Sequence, residues 1–459
     1  MAVSAIAGYL PEKLIIRLGT EIRIIDRNGT PVPFPTSAAF AVFMHEYMHY
    51  LHNISTVCGL AGFVNTLELW RLFRLTIGPT GYSVGSSQLD GATKEHLERL
   101  MHVLATAKIA RQPPLRTVVT PVSVEILSST LEGKVEDTHG AVLSTFVCDA
   151  VVRDDRGTAE RCRIEIGIPE IMEAAAWLLE RRIASALAPD ASESPVPVFP
   201  YKLVSALAEY LLPGIADETV LACILAALLS SDPADGLKEV LRVAKKATDE
   251  ARDPLDAVRN AAAEVVTANE SALLQRLSAI ETEFAGNGIM AVAIRTILST
   301  ARDALVRRRS NPFFEIVLVE DLVTNRLSID ALMRQLPSCA VLQRNAGPAD
   351  EIQRDLLASF RPRNADGSDP EDGLRVTHAI FDFLGRHTEA GALMTTDSLP
   401  PRQCPFYTCC DLRLRMVDPA ICSSSPWHSA DWHGWDHQGR CWYGAAVAIT
   451  RPPMAALGS

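Results

Sequence analysis

Basic residues are in deficit: 44 Lys and Arg stand against 55 Asp and Glu, a formal net charge of -11. That balance argues against a nucleic-acid binder that works by neutralising phosphates. Also missing is any apolar stretch long enough to cross a bilayer, and the N-terminal residues MAVSAIAGYLPEKL lack the basic start and long apolar core of a secretory signal. A cytoplasmic chain with no membrane association is the expectation. No repeat of fixed period occurs, so a packed helical domain is preferred to a solenoid. The ten cysteines include no paired C-x-x-C knuckle, and in a reducing compartment they read as buried thiols or metal ligands rather than disulfides. The one basic run, Arg307-Arg308-Arg309, reads as a solvated face near a helix end.

What is present is enough to fold. With 48% hydrophobic and 22% charged residues over 459 positions, the chain can bury sizeable cores and is too long for one ordinary core. Its most informative stretch is residues 38–56, AAFAVFMHEYMHYLHNIST, which contains His45-Glu46-Tyr47-Met48-His49. The pattern is H-E-x-x-H inside an apolar run that starts after Pro35-Thr36-Ser37 and meets no Gly or Pro before Gly59. On a helix, residues 45 and 49 lie one turn apart on one face, so both imidazoles can bind a single zinc ion. Glu46 flanks that face and can take a proton from a metal-activated water. His52 shares the face, but residues 45 and 52 are two turns or roughly 10 Å apart. It is therefore expected as a supporting or structural residue rather than a ligand.

Around this helix the sequence predicts a predominantly helical α+β protein. Residues 13–18 and 21–25 read as a hairpin about Gly19-Thr20, and a second helix is predicted over 61–76. Residues 116–168 are rich in Val, Ile and Thr, with a turn at 154–157, and read as a three-stranded antiparallel meander. The meander leads into a helix over 169–187, in which three alanines follow Glu173 and would allow another helix to approach closely. Residues 200–345 read as a helical domain with four or five helices over 201–310. Residues 346–373 read as a linker with a short helix near 350–360, and 374–459 as a Cys, Trp and His-rich lobe. In that lobe Cys404, Cys409 (or Cys410), Cys422 and Cys441 are candidates for a structural metal; the other five cysteines read as core.

A catalytic zinc site needs a third protein ligand and an open position. Here the chain resembles the zincin metallopeptidases, in particular the gluzincin branch, in which a Glu on a later helix completes the site. The resemblance covers the 45–49 pentapeptide and one Glu; no metzincin-like extension follows His49. It implies a zincin-like catalytic region over 1–190, comprising motif helix 37–58, the meander and helix 169–187. Glu68, with eighteen residues between it and His49, has the separation seen in zinc aminopeptidases but bulky Leu69 and Trp70 beside it. Glu173, in Glu-Ala-Ala-Ala, has the small-residue context of the family and is slightly preferred as third ligand, although Glu180 on the same side fits an ordinary helix-surface carboxylate face. The implied activity is zinc-dependent hydrolysis of peptide bonds in protein substrates, with Glu46 as general base. The alternative is a non-catalytic helical interaction protein, with a metal-stabilised or vestigial motif and a protein partner on its helical domain.

Overall fold

The computed structural model describes residues 6–26, 32–108, 113–136, 142–188, 197–286, 288–324, 326–337, 339–344, 355–359, 370–388, 392–410, 412–433 and 441–452. Helices dominate these residues, with two small sheets. The predicted meander is present as β3 (Ser123–Glu136), β4 (Val142–Arg153) and β5 (Ala159–Ile166), antiparallel in that order. Its first strand begins later than expected. Residues 116–118 are not in the ladder because their N–H groups donate to the Glu160 carboxylate, at 2.7–3.1 Å.

The N-terminal hairpin is displaced from its expected register. Strand β1 (Ala7–Leu10) pairs antiparallel with β2 (Ile15–Leu18), and residues 21–25 form no strand. The other edge of β2 is occupied by β6 (Ala340–Gln343), parallel to it, and β6 in turn pairs with β7 (Leu356–Ser359). With that edge taken, Ile24 and Ile25 donate their N–H groups to Gln343 Oε1 at 2.7 and 3.0 Å. Strand β7 replaces the end of the short helix expected near 350–360. The rest of that predicted helix and most of the predicted linker lie outside the described residues.

Helix α1 (Ser37–Ser55) starts at Thr36, whose Oγ1 accepts the Ala39 N–H at 3.0 Å. It ends three residues earlier than predicted because Thr56 adopts an extended conformation and caps the next helix instead. Thr56 Oγ1 donates to His52 O at 2.7 Å and accepts from Gly59 N at 3.0 Å. Helix α2 (Val57–Arg74) therefore includes Gly59, where the sequence suggested a break. A Cβ on Gly59 would lie 2.3 Å from His52 O, so glycine is what lets α2 fold back onto the last turn of α1.

The chain continues through α3 (Gly91–Lys108) and, after the meander, α4 (Ile168–Leu187). Five helices follow, within the expected number: α5 (Leu203–Leu211), α6 (Asp217–Ala227), α7 (Pro233–Asp249), α8 (Pro254–Phe284) and α9 (Ile289–Ser310). After α10 (Phe314–Val323) and α11 (Ile329–Gln335) come strands β6 and β7. The tail holds α12 (Pro370–Thr388), α13 (Arg413–Val417), α14 (Pro419–Ser424) and α15 (Trp442–Thr450). One contiguous hydrophobic cluster runs from Leu14 to Val447 and crosses the segment boundaries suggested by composition. Among the described residues no helix is long and apolar enough to cross a membrane.

One residue of the basic run is not solvated. Arg308 is buried and ion-paired to Glu315, and it donates to Ser55 O at 3.1 Å and to Ser55 Oγ at 2.6 Å. A guanidinium at the C-terminus of α1 meets carbonyls that the helix itself cannot satisfy.

Candidate metal centre

Helices α1 and α4 pack directly against one another. The close approach is possible because Ala174, Ala175 and Ala176 present no bulk and are fully buried. Gly167 caps α4, its N–H donating to Glu170 Oε2 at 2.9 Å, and Glu173 then falls one turn into the helix, facing α1.

Three donor atoms converge there. His45 Nε2 and His49 Nε2 are 3.2 Å apart, His45 Nε2 and Glu173 Oε2 are 3.3 Å apart, and His49 Nε2 and Glu173 Oε2 are 3.5 Å apart. Tetrahedral zinc with bonds of 2.0–2.1 Å sets its ligand atoms about 3.3 Å from one another, so the triangle has the dimensions the ion requires. Among the described residues this is the one His/Cys/Asp/Glu group of three or more whose donor atoms all lie within 4.8 Å of one another.

Glu180, two turns after Glu173 on α4, accepts a hydrogen bond from His45 Nδ1 at 2.9 Å. That bond orients the ring and leaves Nε2 to face the triangle, the usual support for a metal-binding imidazole. The electrostatics also call for a cation. Burial opposes charge on His45, yet its hydrogen bonds to Glu173 and Glu180 push its pKa up to about 10. Burial alone would raise the Glu173 carboxyl, but His45 and His49 hold it well below the usual carboxylate range. A divalent ion meets the same demand for positive charge that otherwise favours a proton on His45.

Glu46 is not part of the triangle. It lines the adjoining cleft, of about 390 Å³, together with His45, His49 and Glu173. Burial raises its pKa despite the opposing effect of His49 and His45, and a backbone hydrogen bond from Tyr9 on β1 also reaches it. Helix α2 forms part of the cleft wall, where Gly62 has open space before it. Tyr201 also lines the cleft, its ring meeting His45 edge-on with centroids 5.8 Å apart. Burial and the nearby Glu173, Glu46 and Glu180 push its phenol up to about 12, so it keeps its proton.

No protein-family model, curated protein or solved structure matches this chain.

The remaining sequence-predicted residues lie elsewhere. Glu68 is held by Arg71, at 2.5 Å, and by His96, at 3.4 Å, on another face of α2, and is not near the two histidines' donor atoms. His52 does not support the ligands. It is fully buried, with its Nε2 3.5 Å from Glu315 Oε1 and Arg308 nearby, and burial first, then Arg308, drives its pKa well below the usual value. In the tail, Cys404, Cys410, Cys422 and Cys441 line one small cavity. Of the two alternatives for the second position Cys410 is thus the one at the cavity; Cys409 packs toward Ile15, Ala340 and Leu342 of the sheet, and its Sγ donates to Phe406 O at 3.4 Å. Two site residues carried no separate functional signal. Glu180 was visible only as a carboxylate seven residues beyond Glu173, and Tyr201 follows a proline-rich break with no motif around it.

Proposed function

We propose that this chain is a zinc-dependent metallopeptidase with a zincin-like catalytic core, acting in the cytoplasm on protein or peptide substrates. The observation that carries the reading is the triangle of His45, His49 and Glu173, sized for zinc, braced by Glu180 and open to a cleft that contains Glu46. The residues fit the ion in number, donor type and spacing. Zinc in this triangle supplies Lewis-acid activation of water and of the scissile carbonyl.

The protein's own groups do the rest. Glu46 accepts the proton of the attacking water, a task favoured by its raised pKa, and passes it to the leaving amine. Tyr201, protonated over the working range, donates to the oxyanion that develops on the carbonyl. The cleft beside β1, α2 and α4 receives the polypeptide, with Gly8 and Gly62 leaving room for its side chains.

The deciding experiment combines metal analysis with Glu46→Gln. Purified protein should carry zinc at the triangle, and the variant should keep it while cleaving a proteome-derived peptide library roughly 10²–10⁴-fold more slowly. Absence of metal from the wild type, or unchanged cleavage by the variant, sinks the reading and leaves a non-catalytic helical interaction protein.

A further inference from the structure

The four cysteines of the tail come from four separate stretches. Cys404 lies in an extended segment, Cys410 at the end of a turn, Cys422 on α14 and Cys441 at the start of α15. All four line one small cavity of about 10 Å³, whose remaining wall includes Phe406 and Trp442. The fold already draws these stretches together: Cys404 N–H donates to Cys422 O, and Arg402 N–H to Ser424 O, both at 2.8 Å. Helix α15 packs on α12 and so on the main core.

The lining of this cavity carries little charge. Among the described residues that line it there is no carboxylate, and there is one cation, Arg415. Its guanidinium lies over the Tyr407 ring, 4.5 Å from the centroid, and donates to Cys410 O at 2.7 Å. Four thiolates around one divalent ion carry two net negative charges, and a fixed guanidinium beside them offsets part of that. Without a metal the same cavity disfavours ionised thiols: burial, then Cys441, raises Cys404, and burial, then Cys441 and Cys410, pushes Cys422 up to about 12.

We propose that Cys404, Cys410, Cys422 and Cys441 form a tetrathiolate metal centre that ties the C-terminal segments to α12 and is independent of the histidine triangle. Zinc with bonds near 2.3 Å sets its sulfurs about 3.8 Å apart. No three of these sulfurs lie within 4.8 Å of one another, so a single ion draws them inward as the four thiols lose their protons. The loops and the six-residue α14 that carry them can make that adjustment without moving a long helix. An iron–sulfur cluster uses the same four thiolates at wider spacing.

The test uses the full chain with His45→Ala and His49→Ala, which disables the triangle and leaves the tail intact. Elemental analysis should find about one zinc, or an iron-to-sulfide ratio and visible absorbance that identify a cluster. Either result supports the centre. Titration of the same protein with an organomercurial should release the metal to a chromogenic indicator, with release complete at roughly four thiols per centre. Adding Cys404→Ser and Cys422→Ser should remove the metal; the mercurial titration does not depend on whether that variant folds. A metal-free His45→Ala/His49→Ala protein overturns the proposal. So does a folded double-serine variant that keeps its metal, or mass analysis showing these four cysteines paired in disulfides. Because the triangle is absent throughout, none of these outcomes bears on the peptidase reading.

Discussion

Helix α1 carries three histidines on one face, and its middle and its C-terminal turn use them in opposite ways. Toward the middle, His45 and His49 face the carboxylates of α4, with Glu180 holding one ring and Glu173 closing the triangle. One turn further on, His52 faces a carboxylate too, but Arg308 already neutralises it. The first environment seeks positive charge, and the second expels it from the ring. The lesson is that residue type and helical spacing make a histidine available, while its fate depends on whether the facing carboxylate is still in need of a cation.

The comparison breaks most completely if the third ligand is wrong. Glu173→Ala should lose metal affinity by more than the roughly 10–100-fold typical of a supporting residue, whereas Glu68→Ala should retain the wild-type affinity; chelator competition measures both. Equal affinities in the two variants would remove Glu173 from the centre.

The C-terminal end of α1 should respond in stability rather than in metal. Arg308→Met leaves Glu315 buried without its ion-pair partner and should cost about 3–5 kcal/mol in denaturant unfolding, with metal per folded chain unchanged. Adding Glu315→Met should recover much of that loss. If the double variant is as unstable as the single one, the penalty lies in packing and not in stranded charge.

A smaller effect is expected at the brace. Glu180→Gln keeps a hydrogen-bond acceptor for His45 but removes the charge, and should weaken zinc binding by roughly 10–100-fold without abolishing it. No change in affinity would mean that the 2.9 Å contact does not tune the ligand.

The smallest expected change is at His52. A histidine whose folded-state pKa is depressed binds its proton more readily once unfolded, so its contribution to stability is complete above the unfolded value near 6.5 and is lost as pH falls below it. His52→Leu should therefore flatten the acid limb of the stability curve, with the wild type losing about 1 kcal/mol more than the variant by pH 5.5. Parallel curves for the two proteins between pH 7 and 5.5 would show that His52 does not titrate differentially.

The pentapeptide, its helical setting and the alanine-flanked Glu173 were all legible in the sequence, because helical periodicity and side-chain volume are local properties. So were the meander and its turn at 154–157, where Gly157 takes a positive φ and Asp154 Oδ1 accepts the Thr158 N–H at 2.8 Å. Displacement of the N-terminal hairpin was not legible, since the strand that takes the edge of β2 lies more than 300 residues away. Nor was the early end of α1, which depends on Thr56 serving the next helix rather than its own.

By itself the sequence determined which chemical groups this protein can bring to a candidate metal site, and on which helices they stand: two imidazoles one turn apart, a flanking carboxylate and a second helix slim enough to approach. Tertiary structure alone decided their partners. It brought Glu173 and Glu180 to His45 across 128 and 135 residues, set His96 of α3 beside Glu68, and placed Glu315 and Arg308 against His52. The reason is physical: coordination and charge pairing act over a few ångströms, and only packing decides which residues come that close.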